Sequence, residues 1–264
     1  MKNQKFTHSC DLFLDNDVFR HYFTLRITPH DDPSQTITID ECRVEPIAEC
    51  TTQTDGYGNL LYIGSYEAAH DSFTYTVSGT AVVDSTHGRG ADLNESYRYP
   101  STLTTPGAAI KALHEKAGCF DAEDHGSVDA FNRALELRSL VHDSMAYDAN
   151  ATTVETTAEA ACAMGRGVCQ DYAHILCALL RMDGIPARYV SGLMWGEGAT
   201  HAWVEFHDGT TWWGMDPTND CEAGDYYICL ARGRDHADCP IENGVFRGVA
   251  NQEQHVKVSV EVIE

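Results

Sequence analysis

Three residue types that together perform acyl transfer occur in the second half of this chain, in the order Cys169, His201, Asp216. A thiol becomes a strong nucleophile when a base takes its proton, and imidazole suits that task near neutral pH. A carboxylate beside the imidazole fixes its tautomer and stabilises the imidazolium. The thiol question centres on "GRGVCQDYAHILCALL", residues 165–180, which holds both Cys169 and Cys177. The pattern predicts a helix from Cys169 to Met182, stopped by Gly184 and Pro186. Cys169 then sits at the helix N-terminus, where free N–H groups and the dipole favour a thiolate. Cys177 lies two turns deeper on the apolar face and is expected to be inert.

With thirteen histidines in the chain, the mere presence of one decides nothing. Hairpin geometry selects His201. "HAWVEFHDGTTWWGMDPTN" predicts two strands joined by a two-residue Asp208-Gly209 turn. That register sets His207 opposite Thr210, Glu205 opposite Trp212, Trp203 opposite Gly214 and His201 opposite Asp216. Opposed residues share a face, so His201 and Asp216 can pair. Outside the catalytic context, such a cross-strand pair is an ordinary surface contact worth little. His236 is a rival base without a carboxylate placed for it. Gln170 is a candidate oxyanion donor and Trp203 a candidate cleft wall; the simpler readings are a cap-adjacent amide and a core indole. Asp171 is expected to pair with an arginine such as Arg188 or Arg234.

The surrounding elements divide the chain. Residues 1–86 predict an antiparallel β domain. "FRHYFTLRIT" puts Phe19, His21, Phe23, Leu25 and Ile27 on one face, and "QTITID" and "SFTYTVSGTAVV" alternate likewise. Residues 87–106 lack periodicity and are expected to be a linker. Residues 107–264 predict a second, catalytic domain of helices followed by an antiparallel sheet. Its helices are "PGAAIKALHEKAG", a longer one opened by Ser127 with Val128, Phe131, Leu135, Leu140 and Met145 apolar, and "AEAACAMG" capped by Thr157 and Gly165. "QHVKVSVEVIE" closes the chain as a strand with alternating valines. The fold class is therefore α+β.

Composition bounds the partners. The formal charge of −22 comes from 18 basic and 40 acidic residues and disfavours nucleic acid and anionic membranes. No apolar run is long enough to span a bilayer, and the first twenty residues lack a signal-type stretch, so the expected location is the cytoplasm. Thiols stay reduced there. The ten cysteines form no CxxC pair and no close ligand quartet. Neither a metal nor another cofactor is expected, and most thiols are read as buried hydrophobes.

The motifs "GVCQDYAHILCALLRMDGIPARYVSG", "HAWVEF" and "WWGMDPTN" resemble, in order, three blocks of the transglutaminase-like superfamily. "ARGRDHADCP" with "GVFRG", and the N-terminal β region with "DGYGN", resemble bacterial members described as cysteine proteases. The resemblance covers most of the chain. It implies a papain-like core with the Cys helix packed on an antiparallel sheet. It also implies Cys169 as nucleophile, His201 as base and acid, and Asp216 as orienting residue. "CQDYAH" departs from the "CWVFA" type of animal transglutaminases, and no calcium-site pattern of their kind is present. Hydrolysis of a peptide or protein amide is therefore expected ahead of amine transfer. A peptide- or glycan-binding module that has lost turnover is the third reading. Oligomeric state and substrate identity stay open at this point.

Overall fold

In the computed structural model, residues 1–46, 49–118, 120 and 127–263 are described. One strand organises the N-terminal half. β1 (Lys2–Leu25) is 24 residues long and begins far ahead of the expected "FRHYFTLRIT" segment. Its register breaks between Phe13 and Val18, and again between Phe19 and Tyr22, where Arg20 has φ 52°. These bulges let a single strand bend and serve two pairings. Residues up to Leu14 lie between β5 (His70–Val83) and the C-terminal strand β15 (Gln252–Ile263). Beyond the bend it pairs with β4 (Leu60–Tyr66) and β14 (Glu242–Arg247). β2 (Gln35–Glu45) flanks β5, and β3 (Glu49–Thr54) flanks β4. With the short β9 (Gly196–Gly198) as its eighth strand, the result is an antiparallel half-barrel. Phe23, Leu25 and Ile27 are buried in its core, as their alternation predicts, whereas Phe19 beside the bend is exposed.

The chain's end, expected to close the second domain, returns to the first sheet: β14 and β15 pair with β1, because Val258 and Val260 bury themselves in the N-terminal core. The expected linker is an ordered strap. It carries turns at Glu95–Arg98 and Thr102–Thr104, and Arg181 fastens it through Tyr97 O (3.2 Å) and Thr104 Oγ1 (2.6 Å).

The second layer holds α1 (Ala108–Lys116), α2 (Ser127–Ser144), β6 (Ala146–Tyr147), α3 (Ala158–Met164), β7 (Arg166–Gly167) and α4 (Cys169–Met182). Behind them stands a five-stranded antiparallel sheet of β8 (Ala187–Met194), β10 (His201–His207), β11 (Trp212–Asp216), β12 (Cys221–Glu222) and β13 (Tyr227–Gly233), in the order β12-β11-β10-β8-β13. α4 is buried from Gln170 to Arg181, between the other helices and one sheet face. Leu193, Ile228 and Leu230 of this sheet join the half-barrel core. α4 is therefore clamped in the middle of the molecule. The buried stripe of α2 is Ala130, Ala134, Leu137 and Val141; Phe131, Leu135, Leu140 and Met145 are only partly buried at its margin. The small alanines let α2 approach α4 closely. The expected cap at Ser127 and the apolar contact of Val128 concern side chains outside the described set.

Candidate active site

Cys169 occupies the first turn of α4 because the backbone before it is tightly held. Thr157 caps α3 by accepting from Ala160 N–H, and Gly165 closes it at φ 66°. Arg166 and Gly167 then form a parallel bridge with Ala146 and Tyr147. Gly167 passes so close to Asp171 that a Cβ there would lie 2.4 Å from its carboxylate. That close approach explains the glycine. Asp171 accepts from Val168 N–H (2.8 Å) and Thr152 Oγ1–H (2.6 Å), satisfying one of the orphan donors of the helix start. It is a helix cap, contrary to the expected ion pair: Arg188 goes to Glu205 and Arg234 to Asp238. Cys169 itself is partly exposed, and Cys177 is fully buried. Burial pushes the Cys177 thiol up to about 11.

His201 opens β10, opposite Gly192 of β8. Its Nε2 lies 2.7 Å from Asp216 Oδ2, and the Cys169 thiol stands near enough to the ring to favour its charged form. Nδ1 is the remaining nitrogen for that thiol. Burial opposes a charge on the ring, but Asp216 and Cys169 override it and raise His201 from 6.5 to about 10. The imidazolium is thus the favoured form around neutral pH. Asp216 has no exposed surface. Burial works against its ionisation. Hydrogen bonds from His201, Asn219 Nδ2 (2.7 Å) and Tyr227 Oη (2.8 Å) nevertheless hold it below the usual carboxylate range. Its second oxygen accepts from the N–H groups of Thr218 (2.9 Å) and Asn219 (3.2 Å), closing a turn over Pro217.

The hairpin that delivers this pair differs from the expected register. Glu205 faces Gly214, Phe206 faces Trp213 and His207 faces Trp212. The loop is longer than the expected Asp208-Gly209 turn because Asp208 Oδ1 accepts from Thr210 N–H (2.7 Å), Thr210 Oγ1–H (2.7 Å) and Thr211 N–H (2.9 Å). The shift preserves side-chain parity, so the face stays the same. His201 reaches Asp216 diagonally rather than straight across.

The two lesser candidates stand elsewhere in the architecture. Trp203 is fully buried, 6.5 Å from the His201 ring and nearly parallel to it, and edge-on to Tyr227 at 5.3 Å. It is a platform beneath the imidazole and has no face open to a cleft. Gly192 makes room for it: a Cβ there would meet the indole at 2.3 Å. Gln170 donates its amide to Val154 O (3.1 Å), fastening the 149–157 segment to the helix start. His236 gives its backbone N–H to His174 Nε2 (3.0 Å), and its Nδ1 is buried without a partner. Tyr227, Asn219 and Tyr147 were not singled out by sequence reasoning. Asn219 could have been found from the Asp-Pro-Thr-Asn turn spacing. Tyr147 is exposed beside Cys169. Burial first, and then the charge of Cys169, push its hydroxyl up. Among the described residues, no group of three or more His, Cys, Asp or Glu side chains is gathered so as to hold a metal ion.

Comparison with known proteins agrees with this architecture. The family profile described as the transglutaminase-like superfamily matches residues 121–217, and that described as the bacterial transglutaminase-like N-terminal region matches residues 5–82. An uncharacterized protein of Mycobacterium leprae is 25% identical, covering 98% of this chain and 99% of its own. One of Mycobacterium tuberculosis is 29% identical, covering 97% and 91%. A proposed cysteine protease from Cytophaga hutchinsonii superposes with a TM-score of 0.79 at 20% identity, over 100% of this chain and 92% of that one. At that identity the likeness is one of fold.

Proposed function

We propose that this chain, whose residues 121–217 match the transglutaminase-like superfamily profile and residues 5–82 the bacterial transglutaminase-like N-terminal profile, is a cysteine-dependent amide hydrolase acting on peptides or proteins. The observation that carries this reading is the neighbourhood of Cys169 and His201, with His201 Nε2 bonded to the buried Asp216 at 2.7 Å. The proton shared between Cys169 and His201 rests on the imidazole, and the thiolate so left attacks the amide carbonyl. The oxyanion meets the backbone N–H of Cys169 and a second donor at the helix start. His201 then passes its proton to the leaving amine, and a thioester remains on Cys169. Water, deprotonated by His201, resolves the thioester and releases the acid. Asp216 stays ionised throughout and keeps the ring oriented.

An amine in place of water would give transamidation, and the two outcomes separate in one assay. The chain is incubated with casein and a fluorescent primary amine. Peptide release without label supports the hydrolase, and label in casein supports the transamidase. Cys169→Ala abolishes either. Product formation that survives Cys169→Ala would overturn the assignment, and a wild-type chain inert to both casein and electrophiles would favour a binding module.

A further inference from the structure

The N-terminal half-barrel contains a cavity of about 250 Å³, remote in sequence from Cys169, whose walls include His21, Phe23, Phe73, Glu242, Gly244 and Phe246. One of these walls, His21, meets a second imidazole, His70, edge to edge. The rings of His21 and His70 are 5.3 Å apart and 6° from parallel. His21 Nδ1 lies 3.1 Å from His70 Nε2, and His70 Nδ1 lies 3.1 Å from Ala68 O.

This chain of contacts fixes the tautomers. A carbonyl only accepts, so His70 Nδ1 carries a hydrogen. In a neutral ring its Nε2 is then an acceptor. His21 Nδ1 must donate to it, which leaves His21 Nε2 with a bare lone pair. Burial chiefly, and the neighbouring His70 next, hold His21 down near 4, so its ring is neutral at pH 7.5. The lone pair points toward the space above Gly244: a Cβ built there would stand 2.8 Å from Nε2. Phenyl rings enclose the imidazole, Phe73 at 4.8 Å and Phe23 and Phe246 each at 5.9 Å. The described lining contains no lysine or arginine, so nothing there would neutralise an anion. Glu242 has the Cys10 thiol 3.8 Å away as a donor, and burial pushes its carboxyl up.

Asn243, Gln252 and Gln254 complete the polar part of the wall, and a cavity that sets three phenyl rings around the preorganised acceptor of His21 suits a flat apolar body carrying one strong donor. We propose that this cavity binds a small neutral hydroxylated aromatic molecule of the phenol class. The ring lies among Phe23, Phe73 and Phe246, and the hydroxyl donates to His21 Nε2. The cavity accommodates a single substituted ring, and its occupant is independent of the chemistry at Cys169.

The test uses the full chain at pH 7.5, with p-cresol and its methyl ether as probes in calorimetric titrations. Saturable one-to-one binding of p-cresol is expected. The ether, lacking the donor, should bind about 3–10-fold more weakly, the worth of one net hydrogen bond. Gly244→Ala puts a methyl group against Nε2 and should abolish the preference for p-cresol. On the unaltered chain, the ¹⁵N resonance of His21 Nε2 should move on adding p-cresol and stay still with the ether. Equal binding of both probes, no binding of p-cresol, or an unmoved His21 resonance would each overturn the proposal.

Discussion

Two carboxylates, Glu205 and Asp216, lie on the neighbouring strands β10 and β11 and are both fully buried, yet their partners differ in kind. Glu205 is held by Arg188 at 2.6 Å, Arg232 at 2.8 Å and Arg89 at 3.3 Å. Burial opposes its charge, but these guanidiniums outweigh that and hold its carboxyl far below the usual range. Arginine does not give up its proton, so this cluster has one charge state. It joins the strap through Arg89 and the N-terminal region through Asp32, which meets Arg232 at 2.7 Å. Asp216 is held instead by neutral donors and by one imidazole that can release a proton. A buried carboxylate thus serves as a fastener where its partners are fixed cations and, in the proposed mechanism, as an orienter where one partner titrates.

Exchanging a single oxygen at each site should separate these roles. Asp216→Asn keeps the shape but reverses the hydrogen bond to His201, and turnover in the casein assay should fall by about 10⁴-fold, the scale for losing a triad carboxylate. Its urea midpoint should change far less than that of the next variant. Glu205→Gln leaves three buried guanidiniums short of a counter-charge, and urea unfolding should show a loss of about 3–5 kcal/mol. Turnover per folded molecule should stay near normal. If Glu205→Gln abolished turnover in the folded protein, or Asp216→Asn left it intact, the division of roles would be wrong.

Proton linkage sharpens the contrast. His201 rises from 6.5 to about 10 on folding. The folded state therefore binds the extra proton between those values. The resulting stability is complete below pH 6.5 and is lost as pH climbs toward 10. Urea midpoints measured from pH 6 to 10 should fall more steeply for the unaltered chain than for His201→Gln, and equal slopes would contradict the raised imidazole. The smallest effect is expected at Tyr227→Phe. Asp216 there loses one of several donors, which should cost about 0.5–1.5 kcal/mol of transition-state stabilisation, a few-fold in turnover.

The sequence was most informative where local rules act alone. The limits of α4, the caps at Thr157 and Gly165 and the valine alternation of β15 all follow from periodicity and capping. The hairpin register was misjudged because Asp208 closes a longer loop through its side chain, a choice that the Asp-Gly pair does not reveal. The diagonal reach of His201 to Asp216 survived only because parity was preserved. The pairing of β15 with β1 joins opposite ends of the chain and leaves no local trace, and the same holds for Tyr227 beneath Asp216 and the arginines around Glu205. Trp203 and Gln170 were polar-tipped candidates near His201 and Cys169, and tertiary packing turned one into a platform and the other into a fastener.

The account rests on one thiol of α4 being activated while its neighbour two turns away is not. Alkylation by iodoacetamide, followed by peptide mass spectrometry at pH 6 to 8, reads both in one experiment. Cys169 should label quickly near neutral pH, slow markedly in His201→Ala, and leave Cys177 unlabelled in the folded chain. Equal, slow labelling of Cys169 and Cys177, unaffected by His201→Ala, would contradict it.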